Sequence, residues 1–325
     1  MKYDRFEDFL NSIKDTTTPI KEKWSAENKI LTKKYNKFKV FLVIFDIIIV
    51  LFITKYLNVI RTPNFNSQLV TYCFIALLVI FIDFFLAVFY ELLTFSKNTQ
   101  FINKEYKEKV FTKMLENFVD ELKYEPQTGI SRETYKEAKY INDYDDFHSE
   151  DYFTGKINNQ KIEMSDLKIT EEVEEEDKDG NKTTHTRTLF SGLFGKIKLN
   201  KSIDANVQIT KGDRFSIKDS KRLNMDSTEF ETSFDVYTNN PIVAMQILTV
   251  SIEEDMTELQ KEQKIPFSLN IINDNMYVVF HTENMFEIYK GDEKSDEILE
   301  KYFEIMKFIT KIINKITQAI DDTKI

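Results

Sequence analysis

Two stretches of the chain are apolar almost without relief, Phe38–Leu57 and Leu69–Leu93. Each covers the ~20 residues that a helix needs to cross the ~30 Å hydrocarbon core of a bilayer. Each also carries one acid near its middle, Asp46 and Asp83. The fifteen Ile, Leu, Val and Phe residues of the first stretch favour insertion by on the order of 6 kcal/mol, against about 3 kcal/mol for the central aspartate. The pattern therefore predicts two membrane spans, 38–57 and 69–93. Lysines 29, 33, 34, 37 and 39 flank the first span, and lysines 97, 104, 107, 109 and 113 follow the second, whereas the intervening loop, Asn58–Gln68, holds Arg61 alone. Basic residues stay on the cytoplasmic side, so the expectation is a two-pass protein of the inner, cytoplasmic membrane with both termini in the cytoplasm.

Outside the spans the pattern is helical first and β later. No proline or glycine lies between Pro19 and Pro63 or between Pro63 and Pro126, so each span can continue as a cytoplasmic helix. Ile102, Tyr106, Val110, Met114, Leu115 and Phe118 recur at helical spacing, which predicts a helix from Leu69 to Lys123. Phe6, Phe9, Leu10 and Ile13 predict a short amphipathic helix ended by Thr16–Pro19, packed on that stalk. From Asp151 onward apolar and polar residues alternate. A hairpin with its turn at Asp179–Gly180, strands at 206–210, 233–237, 267–272 and 276–281, and helices at 241–261 and 295–320 follow from the spacing. The predicted fold class is an α+β cytoplasmic domain attached to a two-helix transmembrane hairpin with cytoplasmic helical extensions. Its parts are residues 1–37 (N-terminal amphipathic helices), 38–93 (hairpin), 94–150 (helical stalk and linker) and 151–325 (α+β domain).

Charge and composition narrow the chemistry. The three segments 1–37, 38–93 and 94–325 carry +3, 0 and −13, so the main domain is a poor ligand for nucleic acid. Seven glycines do not assemble into any phosphate-cradling loop. The single cysteine, Cys73, leaves no disulfide framework or multi-cysteine zinc site. No nucleophile elbow is present, and His148, His185 and His281 suggest no triad. The acidic run Asp143, Asp145, Asp146, His148, Glu150 and Asp151 reads as a solvated linker, and Asp177–Thr188 as a turn rather than a calcium loop, because Lys182 and Thr188 stand where that loop needs glycine and glutamate. Neither a cofactor nor a metal is assigned.

The strongest candidate site is the pair Asp46 and Asp83, which an antiparallel hairpin puts at one depth. Cys73, Ala76, Ile80, Asp83 and Ala87 share one helical stripe, a small-residue seam of the kind that packs helices closely. Two carboxyls there would share a proton, either to fix hairpin or oligomer packing or to serve proton or cation movement.

DYFTGKINNQKIEMSDLKI at 151–169, TLFSGLFGKIKLNKSI at 188–203 and FDVYTNNPIVAMQILTVSIEEDMTEL at 234–259 resemble a bacterial two-span membrane family catalogued as domain of unknown function 3137. The resemblance implies a cytoplasmic α+β domain with no established reaction and a LemA-type membrane protein as candidate partner. It carries over no catalytic residue. The functional expectation is a non-catalytic, membrane-anchored interaction or regulatory module forming a homo-oligomer, the alternative a small proton- or ion-linked membrane component using Asp46 and Asp83.

Overall fold

The computed structural model describes residues 1–59, 65–176, 182–211, 220–287 and 295–322, without the side chains of 53–54, 56–59, 65–73, 75–76, 79–80, 97–98 and 263. The predicted turn at Asp179–Gly180 lies outside these residues. The chain divides into two compact units. One comprises Met1–Lys14, Lys107–Glu287 and Ser295–Ile325, and the other Asp15–Tyr106 with Ile288–Lys294.

The second unit holds most of two long helices, α1 (Phe6–Val59) and α2 (Phe65–Glu105). They run antiparallel, as their contacts show. Lys23 lies over the ring of Phe101, the hydroxyl of Tyr35 donates to Glu91 at 2.8 Å, and Phe38 stacks on Tyr90 with ring centroids 4.2 Å apart. Pro19 does not end the first helix, which runs through it. The predicted transmembrane hairpin is corrected: among the described residues no helix is long and apolar enough to cross a membrane. In α1 the described apolar run is Val40–Phe52, interrupted by Asp46, and it rises only about 20 Å. In α2 the run Phe81–Leu93 is no longer and contains Asp83 and Glu91.

The first unit is built on seven antiparallel strands. They are β1 (Asp120–Glu125), β2 (Asp146–Ile157), β3 (Gln160–Glu176), β4 (Lys182–Thr210), β5 (Lys221–Leu223), β6 (Asp235–Thr238) and β7 (Phe267–Phe280). Their order is β1-β2-β3-β4-β6-β5, with β7 also on β4. At 29 residues, β4 is long enough to pair with β3 through Ile197, with β7 from Leu193 to Ile209 and with β6 from Val207 to Thr210. It bends between these partners, where its register with β7 shifts near Ile203. Two separately predicted strands, 267–272 and 276–281, are thus one strand, with left-handed Asn273 inside it. The predicted helix at 241–261 is two, α6 (Pro241–Ile247) and α7 (Val250–Gln263).

Both sheet faces are covered, which is why β3 and β4 read as apolar runs as well as alternations. On one face Leu167, Ile169, Phe190, Phe194 and Val279 pack with Tyr135 of α4 (Arg132–Glu137) and with Tyr140. On the other lies α8 (Ser295–Asp322), whose Phe308 meets Phe267 and Phe280 edge-on at 5.7 and 6.0 Å. The apolar start of α1 docks here too, with Phe6 and Phe9 against Phe303. Asn117, in α3 (Thr112–Phe118), ties this N-terminus down by accepting from the backbone of Lys2 and Tyr3 and donating to the carbonyl of Tyr3.

Candidate functional site

Local irregularities of the backbone gather around one buried charge cluster in the sheet unit. A π-helical turn, Tyr106–Phe111, precedes α3; such turns are rare and cluster at functional positions. It presents Lys107. On β2 the register with β3 shifts between Glu150 and Phe153, a bulge that contains Asp151 in the left-handed region at φ 56°. The backbone groups freed by the bulge are satisfied from outside the ladder, as Asp151 N–H donates to the carbonyl of Pro126 and Tyr152 N–H to that of Thr128. Glu287, in the irregular segment after β7, follows left-handed Phe286.

These elements bring one ammonium to three carboxylates. Lys107 Nζ lies 2.8 Å from Asp151, 2.7 Å from Glu287 and 3.6 Å from Glu150. Tyr124 of β1 donates its hydroxyl to the other oxygen of Asp151 at 2.5 Å. Asp166, opposite Glu150 on β3, accepts from the backbone N–H of Met285 at 2.7 Å, and its second oxygen has no hydrogen-bond partner among the described residues. Phe111, Phe153 and Tyr302 surround Phe286 at ring distances of 5.6–6.2 Å, so the cluster borders an apolar wall.

Burial and charge pull these groups in different directions. Asp151, wholly buried, is pushed up to about 6 by desolvation, against the pull of Lys107 and Tyr124. Burial likewise raises Asp166 well above the ordinary aspartate value, and the neighbouring charge of Asp151 adds to it. Burial by itself would lower Lys107, but Asp151 and Glu287 outweigh it and its pKa rises. The ion-paired partners respond differently because the ammonium faces several carboxylates, whereas Asp151 faces a single ammonium from inside the protein. A lysine held charged in this way is neither nucleophile nor base. The carboxylate oxygens of Glu150, Asp151 and Glu287 lie within 4.8 Å of one another, a donor set of the type that holds hard cations. Here the lysine ammonium serves as the cation.

The acidic run expected as a solvated linker is largely strand. Asp145 accepts from the backbone N–H of Glu172 at 2.6 Å, and Asp151 is at the heart of the cluster. Sequence reasoning found Asp151 only as a member of that run and missed Lys107, Tyr124, Asp166 and Glu287, which are scattered over 180 positions with no shared motif. The one available signal was Asp166, an acid set among Met164, Leu167 and Ile169 in MSDLKI. His281 lies 3.2 Å from the hydroxyl of Tyr140 and edge-on to Phe190, while His148 and His185 are 3.9 and 3.8 Å from Glu150 and Glu175.

In the helical unit Asp46 and Asp83 do meet. Their carboxyls are hydrogen-bonded, which, with burial, raises the pKa of Asp83; the Oδ1 atom of Asp46 has no partner among the described residues. Ala87, one turn on, is half-buried, whereas the side chains of Cys73 and Ala76 lie outside the described residues.

No curated protein matches the chain. Among solved structures, the crystal structure of the mycobacterial trehalose monomycolate transport factor A, TtfA, aligns over 60% of this chain and 88% of its own at 8% identity and a TM-score of 0.31, a likeness too loose to bear on fold or role. Residues 188–318, from β4 into α8, match the family described as protein of unknown function (DUF3137), which supports the family resemblance of the sequence motifs but not a two-span membrane nature.

Proposed function

We propose that the chain is a membrane-anchored interaction or regulatory module that performs no chemistry of its own. The observation that supports this reading is the apolar sheath of the helical unit. On α1, Phe41, Ile44, Ile48 and Phe52 are 52–70% exposed, and on α2 Phe81, Phe84, Phe85 and Phe89 are 56–64% exposed. Contiguous apolar surface on this scale marks a contact with lipid or protein. Lipid is the occupant proposed, because Lys33, Lys34, Lys37 and Lys39 border the sheath on α1, where basic side chains meet anionic headgroups. The cytoplasmic face of the cell membrane is the location proposed, and self-association with a LemA-type membrane protein as further partner completes the reading.

The test is fractionation of cells expressing the full chain. The protein is expected in the membrane pellet, resistant to high salt, released by detergent, and shifted toward the supernatant by Phe45→Glu with Phe85→Glu. Recovery of the unaltered chain in the low-salt supernatant would overturn the anchoring. A proton- or ion-linked role draws on one observation, the hydrogen-bonded Asp46–Asp83 pair. It expects vesicles carrying Asp83→Asn to lose proton movement while the protein stays bound.

A further inference from the structure

The sheet unit carries a groove between α7 and α8 whose walls are oppositely charged. On α7, Asp255, Glu258 and Glu262 follow at spacings of three and four and so share one helix face. On α8, Lys311 and Lys315 lie four apart and do the same, with Lys307 one turn before them already paired to Asp4 at 3.0 Å. The helices are antiparallel at this place. Asp255 closes on Lys315 at 2.7 Å, and Glu262 lines the groove with Lys311 further along. Adjoining hollows of about 430 and 320 Å³ share Asp255, Lys315 and Gln318. The Oδ1 atom of Asn314, in the wall of the larger hollow, has no hydrogen-bond partner among the described residues. Beside the smaller hollow, whose lining includes Gln246 and Thr249, Ile242, Met245 and Val250 are 72%, 46% and 60% exposed.

We infer that this groove is a docking surface for the same groove of a second copy of the chain. The argument is charge symmetry. A two-fold axis running along the groove turns the acidic row of one copy onto the basic row of the other, and does so twice. An axis across the groove would oppose like charges, so the charges select one geometry, and complementary potentials fix register in this way. The same axis keeps equal ends together, so the end of the groove bordered by Ile242, Met245 and Val250 meets the same end of the other copy. A self-complementary patch of this type is what an isologous dimer requires. A partner of single sign would leave one wall facing like charge. The inference deepens the interaction-module reading by naming the partner as a second copy.

The test uses the full chain in mild detergent with Cys73→Ser and Gln318→Cys, treated with a short bis-maleimide. Gln318 lines both hollows, so the two copies of position 318 flank the axis. Efficient cross-linking is expected. Glu258→Lys or Lys311→Glu alone sets like charges against each other at two places and should lower the cross-linked fraction about tenfold. The double variant exchanges the signs on both walls and should restore it. Glu258, Lys311 and Gln318 are surface groups of helices, and an unchanged circular dichroism spectrum verifies that each variant folds. Absence of the cross-link, indifference to single reversal, or a double variant as poor as the singles would each overturn the proposal. Dimers that form without the position-318 link would assign association to the hairpin instead. Membrane release tests the anchoring separately, so either reading can fail alone.

Discussion

Asp83 on the helical hairpin is half-buried and Asp151 in the sheet domain wholly buried, yet both have pKa values above the ordinary aspartate range, the first chiefly through its hydrogen bond to Asp46 and the second through burial. Their neighbours are opposite in kind. Asp83 faces another carboxyl, so the pair is stable when one proton lies between them. Asp151 faces an ammonium and a phenol, and its shift is what remains of a large desolvation penalty after both have reduced it. The first arrangement needs no cation. The second is a buried charge pair, where removing either partner exposes the whole penalty. Similar direction of titration therefore conceals different dependence on neighbours, and substitutions should separate the two.

The largest effect is expected from Lys107→Met, which leaves Asp151 and Glu287 facing each other without their cation. A loss of about 3–5 kcal/mol in denaturant unfolding is expected, with part of it recovered when Asp151→Asn is added. A loss equal to that of an exposed lysine would show that the cluster carries no stability. Next comes Gly192→Ala, in the sheet away from either acid. Gly192 has φ 151°, and a Cβ there would sit 2.0 Å from the carbonyl oxygen of Phe280, so roughly 3 kcal/mol should be lost through strain and displaced backbone. This variant is the control for the first, because its loss should not vary with pH between 4 and 7.

Tyr124→Phe removes one hydrogen bond to Asp151 and should cost about 1–2 kcal/mol. It also sharpens the pH comparison. The carboxyl of Asp151 moves from an ordinary 3.8 to about 6 in the folded protein, so the fold favours its protonated form. That contribution is complete below the unfolded value and is lost as pH rises through about 6. Since the tyrosine bond lowers the folded pKa, its removal should move the loss to higher pH, readable as carboxyl chemical shift against pH. The smallest effect is expected from Asp83→Asn, which reproduces the protonated partner. Helix content and thermal midpoint should change little, while the pH dependence of the hairpin's unfolding disappears. A pronounced loss of helix would mean that Asp83 needs its charge.

How much of this was legible along the chain depended on distance in sequence. Where a feature is local and periodic, it was found: α8 begins at Ser295 as the spacing predicts, and the strands on either side of 177–181 pair as the alternation required, Glu176 against Lys182. The N-terminal helix was correctly seen as amphipathic, but Pro19 was taken as its end. A proline removes one hydrogen bond and does not terminate a helix whose neighbouring turns are packed, as those at Thr17 and Ile20 are. The start of β1, Asp120–Lys123, was read as helix because it follows the helical spacing of Ile102–Phe118, and only pairing with β2 makes it a strand.

The sequence by itself determined the α+β character, the acidic balance of the larger region, the two apolar stretches, and the common depth of Asp46 and Asp83 once those stretches lie antiparallel. All of these follow from repeats of two or 3.6 residues and from arithmetic on charges. Only the tertiary structure decided that Lys107, Tyr124, Glu150, Asp151, Asp166 and Glu287 form one cluster, that β7 is one strand and not two, and that oppositely charged rows of α7 and α8 face each other across a groove. Those facts depend on a bulge, a π-helical turn and crossings between distant elements. Their energy is paid in long-range packing and desolvation, which leave no periodic mark on the chain.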